Sequence, residues 1–418
     1  MPKRSTPPVA TTSLVHGAVA GDQRLTAAAL WAVPRVGAPN PAPDGRSALV
    51  AVTTYDTKKD KGRARIWLVT SDGAPPRGLT SDTEDSKEPF WSPDGTQFCF
   101  VRKGTEKDAK PQVWVMPVDG GEGSNVTELP VGCFDPRFTP DGTSIVFGVK
   151  LLRGFPTVEA TRTELERRSK ETCKALVTED RVFRFWDAWL VDGDAPHLFR
   201  LDLETRVLTD LMPSSALWFN WNELSGQYDI APDGSDIAFS ALWFDDAKQL
   251  LRTGVFVIPA TGGEPRCLTP TNPDGDFHPR WTPDGAALLW GTQDDPYFYA
   301  DRVRLVLWDK ASGVATRVLN DWDLSPAGWE FAADGTLSFE CEDDARVALY
   351  RWRPGSGSAP ERVVGHGATS GVWGGLAPAL DGSLWMTHAS MSAATEIYRL
   401  APGAATPTRV THFTESAK

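Results

Sequence analysis

A serine nucleophile of the α/β-hydrolase type needs the frame Gly-x-Ser-x-Gly on a strained strand-to-helix turn, which exposes the hydroxyl beside the backbone donors of an oxyanion hole. The 418 residues contain no such frame. The nearest imitation, Gly357-Ser358 in PGSGSAP, has Ser356 and Pro360 where the frame needs its two glycines and sits between two short apolar runs, so no catalytic residue is assigned. Metal chemistry finds no better footing. His16, His197, His278, His366, His388 and His412 show neither HExxH nor any other ligand spacing, and Cys99, Cys133, Cys173, Cys267 and Cys341 contain no CxxC pair. No metal and no cofactor is expected.

What remains are residues suited to binding. The stretch RVFRFWDAW (181–189) is denser in arginine and tryptophan than a spacer requires. Arg181, Arg184, Trp186, Asp187 and Trp189 could contact a substrate at the mouth of a site, or brace the segment through an internal Arg–Asp network. Three acidic pairs, Asp245-Asp246, Asp294-Asp295 and Asp343-Asp344, recur at spacings of 49 and 49. Gathered on one rim they would attract the free ammonium of a peptide through a long-range field that salt weakens. Solvated loops repeated by duplication would give the same pattern. The matching places earlier in the chain are basic instead: Lys58, Lys59, Lys61 and Arg63, then Arg102, Lys103, Lys107 and Lys110.

Composition narrows the setting. Lys and Arg total 43 against 55 Asp and Glu, a net charge of −12, which disfavours nucleic acid and an anionic membrane surface, since both require clustered positive charge. With 23% charged and 41% hydrophobic residues the chain is globular. An odd cysteine count cannot complete a disulfide framework, the N-terminus shows no secretory apolar core, and no run approaches a membrane span. A cytoplasmic protein is expected. Seventeen Trp stand beside 33 Pro and 37 Gly, large flat side chains with many turn formers, which points to β structure in short pieces.

The pieces repeat. Asp-Gly follows a short apolar stretch at Asp44, Asp94, Asp141, Asp233, Asp284, Asp334 and Asp381, with spacings of 50, 47, 92, 51, 50 and 47. Each Asp-Gly is followed by an apolar run such as QFCFV or DIAFSA, a second run such as QVWVMPV or GVFVIPA, a glycine-rich turn and a short tail. In Pro-Asp-Gly the proline presets the first turn position, Asp tolerates the second and Gly relieves the third; Ala333 and Leu380 replace the proline in the last two units. Four strands in about 50 residues, repeated, predict an all-β fold: a seven-bladed β-propeller of four-stranded antiparallel blades, covering 29–418 after an N-terminal extension over 1–28. The one long interval predicts a helical insertion over about 150–192 in blade three. Within it 157–177 reads as an amphipathic helix with Val158, Leu165, Leu176 and Val177 to one side and Glu164/Arg168 and Glu166/Lys170 spaced for ion pairs. Most tryptophans are assigned to packing between blades, and the first and last blades are expected to meet through side chains alone.

WSPDG, an aromatic third strand, DGG and a final LT resemble TolB-like propeller repeats. RVFRFWDAWLVDGDAPHLFRLDL (181–203), ADRVRLVLWDKASG (300–313), NDWDLSPAGWEFAADG (320–335), MSAATEIYRL (391–400) and the closing RVTHF resemble the N-terminal propeller of prolyl oligopeptidase family serine peptidases, in the dipeptidyl-peptidase and acylaminoacyl-peptidase branch. The resemblance covers about residues 25–413 and implies an α/β-hydrolase domain with a Ser, Asp and His triad beyond the propeller. The expected function is therefore that of a non-catalytic propeller that gates short peptides toward a hydrolase not present in this chain, supplied by a C-terminal segment or a separate chain. The alternative is a stand-alone TolB-like propeller that binds a protein or peptide. Hydrolysis through paired carboxylates, as in propeller glycosidases, is not suggested by the resemblance.

Overall fold

The computed structural model describes residues 26–106, 108–179, 183–185, 188–189, 193–215, 217–219, 225–244, 251–298 and 300–415. Its strands form five four-stranded antiparallel sheets, one eight-stranded sheet and a two-stranded hairpin. After a short helix, α1 (Ala27–Ala32), the first sheet pairs β1 (Arg35–Pro41), β2 (Ser47–Asp56), β3 (Lys61–Thr70) and β4 (Arg77–Gly78) in chain order. The second pairs β5 (Asp85–Trp91), β6 (Gln97–Lys103), β7 (Gln112–Pro117) and β8 (Ser124–Asn125) in the same way. In the third, β9 (Cys133–Phe138) and β10 (Ser144–Leu152) are separated in sequence from their partners by helix α2 (Val158–Lys170) and the hairpin β11 (Arg184–Phe185) and β12 (Ala188–Trp189). The sheet then resumes with β13 (Asp194–Asp202) and β14 (Leu208–Asp210). The fourth sheet runs from β15 (Tyr228–Ile230) to β18 (Arg266–Cys267), and the fifth from β19 (Asp276–Trp281) to β22 (Ala315–Val318). The eight-stranded sheet runs from β23 (Pro326–Phe331) to β30 (Thr408–Arg409); among the described residues its halves pair as strands only where Val347 meets Val372 of β27 (Val372–Pro378), and Leu349 and Val364 pack against Trp373 and Leu384 across the join. No helix among the described residues is long and apolar enough to cross a membrane.

The Asp-Gly turns join first to second strands as the residue types dictate. In the second sheet the Gly95 amide donates to the Ser92 carbonyl at 2.9 Å, and Gly95 takes φ +71°, a conformation that a side chain would strain. The Asp94 carboxylate accepts the amide of Thr96 at 3.1 Å. The same bond recurs at Asp334 and Asp381, so Ala333 and Leu380 keep the turn without proline. Hydroxyls of Ser92, Thr139 and Thr282 also donate to Asp94, Asp141 and Asp284, and hold those carboxyls below their ordinary range. A folded-state pKa below the unfolded value of about 4 adds stability above that value and loses it as pH falls through the folded one. The melting temperature is therefore expected to fall below about pH 4. Asp94→Asn/Asp141→Asn/Asp284→Asn should show a shallower fall in circular-dichroism melts; an equally steep one would remove the turns from the account.

The core is a succession of apolar clusters, each spanning two neighbouring sheets. Leu49, Ile66, Trp91 and Phe98 join the first to the second, and Cys99, Val113, Ile145 and Phe147 the second to the third. Leu289, Leu305, Trp329 and Phe339 join the fifth to the front half of the eight-stranded sheet. The ring closes where Val36, Val50 and Val52 of the first sheet meet Trp385, Ile397 and Val410 of the last half-sheet. No strand is exchanged there. The seam is not made by packing alone, as expected from sequence: the Trp385 indole also donates to the Gly45 carbonyl at 3.3 Å. Among the described tryptophans only Trp31 is exposed, which agrees with their assignment to packing.

Helix α2 is shorter than the amphipathic stretch predicts. Thr157 caps it, and the chain leaves helical geometry at Glu171 (ψ 134°), so Leu176 and Val177 lie outside it and are exposed. Val158 and Leu165 do pack on the third sheet. Within the helix Arg167 donates to Glu164 at 2.7 Å and Arg168 at 2.6 Å, which holds the Glu164 carboxyl at about 2. The expected Glu166–Lys170 pair does not form. The helix stops where the following residues, Leu176 and Val177 among them, are exposed and have no core to face.

Candidate functional site

Residues of every first strand line one central cavity of about 940 Å³, so β1, β5, β9, β15, β19, β23 and β27 are the innermost strands of a ring. An innermost strand is a sheet edge, with amides and carbonyls that could capture a passing chain. Pro39, Pro41, Pro89, Pro136 and Pro378 stand on these edges and remove the donors. The cavity therefore offers a passage rather than a strand to add to.

Its wall is braced by charge. The residues four places before the turn aspartates include Arg137, Asp229, Arg280 and Glu330; those six places before include Glu88, Asp135 and His278. At the second set the strand bulges, with φ between 48° and 57° at Asp135, Glu88 and His278, which turns these side chains toward the neighbouring sheet. The bonds run sheet to sheet. Glu88 accepts the Asp135 amide at 2.7 Å and the Ser225 hydroxyl at 2.9 Å. Arg137 donates twice to Asp135, at 3.1 and 3.2 Å, and lies 3.8 Å from Asp229, which accepts the Trp281 amide at 2.8 Å. Arg280 donates to Glu330 at 2.8 Å, and the Trp329 indole to the His278 carbonyl at 3.0 Å.

The electrostatics follow from enclosure. Burial works against the charge on Arg137, but Asp135 and Asp229 more than offset it and its pKa stands above the ordinary value. Burial pushes the Glu330 carboxyl up while Arg280 pulls it back. Burial, then the Arg280 charge, drives His278 well below its usual range, so its imidazole is neutral at pH 7. Every charged group here has a partner. The arrangement can hold neighbouring sheets together around the cavity.

The binding residues expected from sequence fall elsewhere. Arg181, Trp186, Asp187, Asp245 and Asp246 lie outside the described residues. Arg184 and Trp189 are paired across the hairpin β11–β12, with Trp189 against Phe183 at 5.4 Å. Asp294 forms ion pairs with Arg304 at 3.5 Å and with Arg317, and Asp295 caps the Tyr297 amide at 2.9 Å. Asp343 accepts Tyr350 and Arg362, both at 2.7 Å, and Asp344 pairs with Arg346 at 3.3 Å. Among the described residues no hydrogen bond or ion pair joins the Asp294 loop to the Asp343 loop. Local arginines that the repeat spacing did not reveal thus offset much of the acidic rim. The belt itself was missed, although charges recurring at fixed distances before the turn aspartates, in strands otherwise apolar, were its visible signal.

No protein-family model matches the chain. Dipeptidyl-peptidase 5 of Porphyromonas gingivalis is 25% identical over 331 residues, 77% of this chain and 47% of that protein. Among solved structures, an acylaminoacyl peptidase in complex with Z-Gly-Gly-Phe-chloromethyl ketone aligns at TM-score 0.67 and 14% identity, over 92% of this chain and 53% of that one. The β-propeller domain of the trilobed protease from Pyrococcus furiosus, of open velcro topology, aligns at TM-score 0.61 and 14% identity, over 91% of this chain and 99% of that one. The chain resembles the propeller portion of prolyl oligopeptidase family peptidases. Coverage of nearly all of a separate propeller domain makes the fold a β-propeller, and its sheets are blades. The chain spans less than half the length of the curated relatives it matches.

Proposed function

We infer that the chain is the non-catalytic, seven-bladed propeller of a prolyl oligopeptidase-like serine peptidase, with a helical insertion in blade three, and that it gates short peptides toward an α/β-hydrolase. The observation that carries this reading is the match to dipeptidyl-peptidase 5 over 77% of this chain but 47% of that protein, together with the lack of any GxSxG. The hydrolase belongs to a continuation of the chain or to a separate one. It docks on the face that holds the second-to-third-strand loops, where antiparallel order also places the start of β1 and the end of β30. Exposed Trp31, Tyr297, Phe298 and Met391 give that face apolar contact surface. The proline edges and the ion-paired belt keep the passage open and rigid, so width selects short, unfolded peptides. What remains of the acidic rim, Asp295 foremost, steers their ammonium groups.

A fluorophosphonate serine probe and dipeptidyl p-nitroanilides test the division of labour. The chain alone should take up no label and release no product, and addition of the hydrolase encoded beside or beyond it should restore cleavage of short peptides only. Specific labelling of this chain would overturn the reading. A gene with no adjoining hydrolase would favour the stand-alone binding propeller.

A further inference from the structure

We propose that a second cavity, between blades two and three on the docking face, binds the carboxylate end of a short peptide whose last residue is apolar. The cavity measures about 720 Å³. Lys87, Lys103, Lys110 and Lys150 stand around it, and Phe134 and Leu152 with Leu165 of helix α2 supply its apolar wall. Its lysines are largely uncommitted. Lys150 lies 3.9 Å from Asp194, while Lys87, Lys103 and Lys110 have no hydrogen-bond or ion-pair partner among the described residues. The wall's carboxylates, Glu88, Asp108 and Asp194, are fewer than its four lysines, and none of them forms an ion pair with Lys87, Lys103 or Lys110.

Lys87, Lys103 and Lys110 are exposed and line one hollow in a chain of net charge −12. They raise the local concentration of anions, and each can donate a charge-assisted hydrogen bond to a carboxylate. Ammonium groups on flexible stems suit a carboxylate that arrives on a mobile segment. The apolar wall adds a second requirement, an apolar body next to the negative charge, which a C-terminal leucine or phenylalanine meets. Helix α2 matters here because Leu165 closes one side, and Thr161, which accepts the Leu152 amide at 3.0 Å, ties the helix to β10. The peptide nature of the ligand rests on the proposed function; the carboxylate chemistry does not.

The test uses this chain without any hydrolase, so a failed search for a peptidase partner leaves its outcome intact. Isothermal titration at low ionic strength compares acetyl-Gly-Gly-Leu as free acid and as amide. The acid is expected to bind about fivefold to tenfold more tightly, with the difference shrinking in about 0.5 M salt. Exchanging leucine for glycine should weaken the acid by about tenfold. Lys87→Gln/Lys103→Gln/Lys110→Gln should abolish the preference for the acid, and Lys58→Gln/Lys59→Gln/Lys61→Gln, outside the cavity, should keep it. All six side chains project into solvent, so both variants should melt as the parent does. Equal binding of acid and amide, or a preference that survives the first triple variant, overturns the site. Octanoate binding more tightly than the peptide would assign the cavity to a fatty carboxylate and overturn the peptide.

Discussion

Arg280→Met is expected to lower the unfolding free energy by about 3 kcal/mol, because it leaves a carboxylate enclosed without its cation. Arg280 is 6% exposed and donates to Glu330 at 2.8 Å. Its partner keeps a side-chain exposure of 34% toward the passage, which places the loss toward the lower end of the range for buried pairs. Methionine preserves the stem and isolates the charge. The pH dependence has a definite sign. Glu330 already titrates above the ordinary range through burial, and losing Arg280 raises it further. A raised carboxyl destabilises the fold when ionised, so the deficit should be greatest near pH 7 and narrow as pH falls through the folded value. Glu330→Gln in the Arg280→Met background should recover at least half of the loss, since a neutral amide tolerates the site. Urea denaturation of the two single variants and the double variant decides this. A single-variant loss under about 1 kcal/mol, or a double variant no better than Arg280→Met, would mean that the belt does not brace the ring.

Trp385→Ala should cost about 4 kcal/mol, from lost burial and the cavity left behind. Its location gives the effect a second signature. Trp385 is fully buried among Val36, Val50 and Ile397, at the only closure between blades that lie at opposite ends of the described chain. Every other pair of neighbouring blades is also joined by the chain itself, whereas here side-chain contacts bear the whole connection. The Trp385–Gly45 bond goes with the indole, leaving Trp67 against Phe413 at 5.5 Å and the aliphatic residues. Amide exchange should accelerate in β1 and β27 before it does in β15 to β22. Trp308→Ala, which empties a comparable volume between blades four and five, should cost a similar amount without that localisation. Equal protection of the seam in both variants would show that the ring opens elsewhere.

The repeat was legible because its signals are local. Pro, Asp and Gly act through the backbone of the turn they occupy, so seven Asp-Gly steps announced the strand reversals, and the structure closes the turn hydrogen bond even where Ala333 and Leu380 stand for proline. The tryptophans were legible too, since a flat side chain recurring within a β repeat has few places to go but between sheets. Helix α2 was legible at its start, where Thr157 caps it, and not at its end, where the residues beyond Glu171 have no surface to pack on.

The acidic pairs show the limit most clearly. Spacing placed Asp294-Asp295 and Asp343-Asp344 at matching points of successive units, but Arg304, Arg317 and Arg362, which pair with Asp294 and Asp343, come from adjoining strands and carry no mark in the repeat. The belt around the passage and the lysines of the second cavity are the same case on a larger scale. By itself the sequence determined the strands, their reversals and their count per unit, because these depend on residues within a few positions of one another. Only the tertiary structure decided which charges are paired and which are free. That depends on distances between blades about 50 residues apart in sequence, and the strength of each pair depends on how far burial has removed it from water.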